Sequence, residues 1–183
     1  MPRIYLSPSL QEYNPFIDGG SEEEIMNLIA DAMEPYLAVN GIEFVRNTPE
    51  MTLGEAIADS NGKEIDLHLA IHSNAAPPSI AGSRRGPVVY YYSTSPYGKE
   101  MAERIAEEMR QIYPDPQKVQ VMPTTTLREL RRTDAPSALV EVAYHDQPED
   151  AAWIKGNIQP IARALSKAVT AYFGIPFRET TET

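Results

Sequence analysis

Apolar and polar residues alternate through Asp66-Leu-His-Leu-Ala-Ile-His72, and the alternation stops abruptly at Ser73-Asn-Ala-Ala-Pro-Pro78. A period of two marks a half-buried strand, and small polar residues followed by two prolines mark a turn. Shorter strand patterns lie at 4–6, 42–45, 87–92 and 137–142, the last after the turn signal Asp134-Ala-Pro136. Between them the apolar spacing changes to three and four. Ile25, Leu28, Ile29, Ala32 and Met33 form one helical stripe, and Met101, Ile105, Met109 and Ile112 another. Ser21 is an N-cap candidate with Glu24 three residues on, as in a capping box. Pro35 is expected to kink or restart that helix, and Asn40-Gly41 to end it. A short helix is expected at 53–59 and a long one at 96–113. The pattern from 148 to 173 is helical with a break at Gly156-Asn157, its second part burying Ile158, Ile161, Leu165, Ala168 and Tyr172.

Strands that alternate with helices build a mostly parallel sheet with helices on both faces. The expected fold class is therefore α/β: one three-layer α/β/α domain with a mostly parallel mixed sheet. It is expected over residues 1–176, with a polar tail at 177–183. No internal repeat is visible, and 183 residues suffice for one full-sized core.

Charge and composition narrow the function. Twenty-six acidic against 16 basic residues give a net charge of −10, which disfavours nucleic acid and anionic membranes as partners. Arg84-Arg85 and Arg131-Arg132 are local exceptions, read as solvated faces or loops. There is no cysteine, so any metal would be held by His, Asp, Glu or weaker oxygen donors, and only three histidines exist. No apolar run is long enough for membrane insertion. The first residues lack the apolar core of a signal peptide, so the expectation is a chain made without a classical export signal.

His72 ends its strand where open α/β sheets place ligands. Alternation puts His68 on the same face, but ~13 Å further back by strand rise, too far for both to hold one ion. His68 is read as a satisfied core residue. Glu22 and Glu23 open the first helix, where acids also serve simply to complement the dipole. Glu141 is embedded in Ala138-Leu-Val-Glu-Val142, and burial there is expected to raise its pKa toward proton-transfer chemistry; pairing with an arginine is the competing account. His145 either reaches the same rim or helps to cap the following helix. One imidazole and two carboxylates are the raw material of a hydrolytic zinc site.

Three of these segments resemble the zinc-dependent N-acetylmuramoyl-L-alanine amidases of the Amidase_3 type, over residues 4–174. The family's Ser-Ile-His-x-Asn-Ala segment is similar to Ala70-Ile-His-Ser-Asn-Ala75. Its Pro-x-x-Leu-Val-Glu and Asn-Pro-x-Asp segments resemble Pro136-Ser-Ala-Leu-Val-Glu141 and Gln147-Pro-Glu-Asp150. The resemblance implies hydrolysis of the amide between N-acetylmuramic acid and L-alanine, with peptidoglycan or muropeptides as partner and one Zn2+ as cofactor. It implies Glu22 and His72 as metal ligands, Glu141 as the catalytic residue and Asn74 as a substrate contact. One departure stands out. Where the family reads Asp-Pro-Gly-His-Gly-Gly, with the first zinc-ligating histidine, this chain reads Ser7-Pro-Ser-Leu-Gln-Glu-Tyr-Asn14. Gln11, Glu12 and His145 are the candidate replacements, and Glu23 the one-residue alternative to Glu22. A non-catalytic relative that binds wall fragments or regulates another hydrolase is the alternative implied by that departure. Action on the cell wall implies an extracellular location, or release by lysis in the manner of a phage lysin.

Overall fold

The structure, a computed structural model, describes residues 1–180; positions 181–183 of the expected polar tail lie outside the described residues. Six strands form one sheet: β1 (Arg3–Pro8), β2 (Glu43–Arg46), β3 (Leu67–Asn74), β4 (Val88–Tyr92), β5 (Gln120–Thr124) and β6 (Ser137–Tyr144). Their order is β2-β1-β3-β6-β4-β5. All pairings are parallel except β4 with β6, which is antiparallel. β5 was not apparent in the sequence pattern: it is an edge strand carrying Pro123, and Gln120, Met122 and Pro123 are exposed, so it lacks an alternating apolar face.

The helices are α1 (Glu22–Val39), α2 (Leu53–Asn61), α3 (Pro96–Ile112), α4 (Arg128–Arg132), α5 (Pro148–Gly156) and α6 (Ile158–Tyr172). Ser21 caps α1 by accepting the Glu24 amide at 3.1 Å. The helix continues through Pro35 to Val39 without being interrupted, with Met33 and Leu37 fully buried on either side of the proline. Its buried stripe is also rotated from the expected one. Leu28 is exposed, while Met26, Ala30 and Leu37 face inward. Gly41, at φ 69°, turns the chain into β2 in the left-handed conformation that suits glycine.

α1, α3 and α6 pack together and cover one face of the sheet. Ile4, Leu6, Leu67, Leu69, Ile71, Ala138, Val140 and Val142 point into this layer and form one continuous core with those helices. The opposite face is covered by the two short helices α2 and α4. It holds only a small apolar cluster of Ala70, Leu130 and Leu139, and carries Tyr5, Ser7, His68, His72 and Glu141 beside it.

Candidate active site

From β1 the chain proceeds to β2 on one side, and β3 pairs on the other. The crevice at the carboxyl ends of strands beside such a reversal is where open α/β sheets bind ligands. Ser7 and Pro8 of β1, the loop residues Leu10, Gln11 and Tyr13, and His72 at the end of β3 line a pocket of about 400 Å³ there, with Met51 to Leu53 and Glu129 opposite.

Both ring nitrogens of His72 face a carboxylate, the Nδ1 side at hydrogen-bond distance and the Nε2 side at ion-pair distance. Nδ1 lies 2.9 Å from Glu22 Oε1, and Nε2 lies 3.4 Å from Glu129 Oε2. Glu22 reaches the ring because Ser21 starts α1 directly beneath the strand ends. Its carboxylate is buried, and it accepts hydrogen bonds from Asn14 Nδ2 at 2.9 Å and the Ser73 amide at 3.3 Å. Burial works against the charge on Glu22, yet the bonds from His72 and Asn14 outweigh it and lower the pKa below the carboxylate norm. Burial likewise opposes charge on His72, and the two facing carboxylates override it, holding the pKa well above that of a free imidazole.

Glu141 sits beside His72 in register on the neighbouring strand β6. Its Oε2 is buried and has no hydrogen-bond partner among the described residues. Burial pushes its pKa up to about 7; the positive His72 pulls it down and Glu22 pushes it further up. No arginine pairs with it among the described residues, which removes the competing account of an ion-paired core carboxylate. Immediately beyond, the β3–β6 register shifts between His72 and Asn74, a bulge at the site after which the pairing resumes with Asn74 opposite Tyr144.

The remaining candidates separate. Gln11 is at the site: its Nε2 lies 3.4 Å from His72 Nδ1, and its Oε1 accepts from Asn14 at 2.6 Å. Glu23 is turned to Asn27 on its own helix, and Glu12 is exposed. His145 is buried against Phe16, its Nδ1 2.8 Å from Ser73 Oγ, and it staples the loop instead of entering the pocket. Asn74 Oδ1 accepts the Ala75 amide at 2.9 Å and so shapes its own turn. Asp150 is buried, binding the amides of Gly86 at 2.8 Å and Tyr144 at 3.1 Å, and thereby fixes the end of β6.

Glu129 was not singled out from the sequence. It sits in the basic run Leu127-Arg-Glu-Leu-Arg-Arg132, and a lone acid among arginines reads as a surface ion pair. Its only signal is adjacency to Leu130, whose burial turns that side of the short helix inward. His68 is the satisfied core residue expected: Nδ1 is 2.9 Å from Ser60 Oγ, Nε2 is 2.9 Å from Glu129 Oε1, and the ring stacks on Tyr5 at 5.1 Å.

A catalytic zinc site normally has three protein ligands and an open position. Among the described residues no three His, Cys, Asp or Glu side chains gather to hold a metal ion. Glu22 and His72 Nδ1 supply two donors on one side of the ring, where the side-chain amide of Gln11 lies 3.4 Å from Nδ1, and Glu129 lies on the opposite, Nε2 side. The usual three-ligand zinc cage does not fit these residues.

Known proteins place the chain. A sequence profile of the N-acetylmuramoyl-L-alanine amidase family (Amidase_3) matches residues 12–171. Among solved structures, the amidase from Clostridium difficile 630 superposes with a TM-score of 0.84 at 16% identity, covering 94% of this chain and 97% of that one. AmiC2 of Nostoc punctiforme gives 0.82 at 19% identity, with coverage of 94% and 97%. The catalytic domain of CwlV from Bacillus (Paenibacillus) polymyxa gives 0.80 at 16%, with 96% and 100%. At these identities the structures establish a shared fold. No curated protein matches the chain by sequence. With the profile spanning both strands that carry His72 and Glu141, and the helix that carries Glu22, the chain belongs to the N-acetylmuramoyl-L-alanine amidase family.

Proposed function

We propose that the pocket hydrolyses the amide joining the lactyl group of N-acetylmuramic acid to L-alanine in peptidoglycan, with Glu141 as the group that moves the proton. The observation that carries this is the Glu141 carboxyl, whose Oε2 is buried without a hydrogen-bond partner among the described residues and whose pKa is pushed up to about 7, beside His72 on the neighbouring strand. Such a carboxylate can take a proton from the attacking water as the C–O bond forms and return it to the amine as the C–N bond breaks. The products are a lactyl carboxylate and a stem peptide with a free L-alanine amino group. His72, with its ring edge in the pocket, orients what approaches Glu141, and Asn74 shapes the turn at the mouth.

Zinc is the finer part of the reading. The resemblance assigns Glu22 and His72 as its ligands, and Gln11 stands nearest to complete the set. With only two strong donors, we propose weak occupancy, and no proton transfer above is routed through the ion. The short donor set also favours a second reading, a relative that binds wall fragments without cleaving them. Mass spectrometry of purified muropeptides incubated with the protein separates the two. Free stem peptide beginning at L-alanine, lost in Glu141→Gln, is the expected result. Binding without cleavage at any pH or zinc concentration supports the second reading and overturns the first.

A further inference from the structure

Glu129 is a buried carboxylate, 4% exposed, aimed into the pocket from a different element than any motif residue. Its first oxygen is fixed from two sides, by Ser7 Oγ at 2.5 Å and His68 Nε2 at 2.9 Å. His68 is itself immobilised by Ser60 and by stacking on Tyr5. The second oxygen is thereby left facing His72 Nε2 at 3.4 Å. Two histidines too far apart on one strand to share an ion are joined instead by one carboxylate.

We infer that Glu129 is a positioning residue: anchored by Ser7 and His68, it holds the Nε2 edge of His72, which sets the ring's rotation and turns Nδ1 toward Glu22 and Gln11. The inference deepens the amidase reading and rests on it for its catalytic consequence, while its geometric content stands separately. A carboxylate facing the second nitrogen of a metal-ligating histidine fixes its ring orientation, and loss of such a partner costs typically about 10–100-fold in metal affinity or activity. We take the same span for a histidine that orients substrate. The same distances indicate how to move the charge. Ser7 Oγ is already in contact with the Glu129 carboxylate, so aspartate at position 7, one bond longer, brings an oxygen into the space that a shortened residue 129 vacates. Asn47 Nδ2, 3.4 Å from Ser7 Oγ, is there to support it.

The test compares wild type, Glu129→Gln, Glu129→Ala and the double variant Ser7→Asp/Glu129→Ala. Each is measured twice: kcat and KM on muropeptides, and the His72 ring signals in long-range proton–nitrogen NMR of metal-free protein. Expected are a kcat about 10–100-fold lower in Glu129→Ala with KM changed by less than about threefold. The ring Nε2 signal shifts or broadens in both single variants. The double variant regains the signal and at least about a tenth of wild-type kcat. A merely structural residue would not be rescued by moving the carboxylate from α4 to β1. Glu129→Gln preserves volume, so it supplies the NMR reading even if the alanine variant fails to fold. Unchanged ring signals in Glu129→Gln, or absence of rescue in a folded double variant, overturn the proposal. If wild type itself cleaves nothing, the amidase reading fails, and the NMR comparison still decides the role of Glu129.

Discussion

The two faces of the sheet solve opposite problems. Beneath α1, α3 and α6 the strands present an unbroken apolar layer that includes Leu69, Ile71 and Val140. On the other face the same strands present His68, His72 and Glu141, and the apolar cover shrinks to Ala70, Leu130 and Leu139. Alternation along β3 and β6 separates the two sets residue by residue. One face buries hydrocarbon and contributes stability. The other buries charge in a network whose members stabilise each other only together, and it leaves Glu141 Oε2 without a hydrogen-bond partner among the described residues.

The contrast can be broken most severely at Glu141. Glu141→Gln is expected to lower muropeptide turnover by about 10²–10⁴-fold, the usual span for a lost general base, with binding retained. Turnover in wild type should rise with pH toward a plateau above about 7, the pKa of this carboxyl, and a flat profile from pH 5 to 8 would contradict its role as base. On the apolar face the damage should be thermodynamic. Leu69→Ala opens a cavity in the fully buried layer and is expected to cost about 2–5 kcal/mol in denaturant unfolding, with residual activity of the folded fraction.

A smaller effect tests whether the polar face is strained. In the folded chain Glu141 keeps its proton until about pH 7, whereas in the unfolded chain it loses it near 4.5. Over that window the folded state holds the extra proton, so this residue's contribution to stability falls as pH rises and is least favourable above 7. Glu141→Gln should therefore be more stable than wild type at pH 8, by about 1–3 kcal/mol, and gain little at pH 4.5. Equal melting shifts at both pH values would show that the carboxyl is not strained. The smallest change belongs at the sheet edge, where Arg3 and Glu43 form a half-exposed ion pair at 2.7 Å. Glu43→Gln should alter stability by no more than about 1 kcal/mol, less still in high salt.

Much of this division is legible without coordinates. The alternation in 66–72 announces which side chains share a face, and the helical stripes of α3 and α6 identify the elements that cover the apolar one. His72 and Glu141 stand out locally, as a histidine near a strand end and an acid inside an apolar strand, whereas Glu22 is separated from Glu23 only by the family resemblance. Three features have no such pattern. Pro35 suggests a restart of α1, yet the helix continues through it. β5 has no alternating apolar face to announce it. Glu129 looks like one more charge in a basic run until the five-residue α4 is folded against β4 and β6.

Local order along the chain thus determined the α/β architecture, the two faces and the residues at the strand ends, because periodicity and capping act between near neighbours. Tertiary structure alone decided what those residues meet. It put Glu22 and Glu129, separated by more than a hundred positions, on the two nitrogens of one imidazole, placed Gln11 beside them and turned His145 away. Such convergence depends on strand order and on which short helix closes the polar face, and neither leaves a periodic trace in the residues involved.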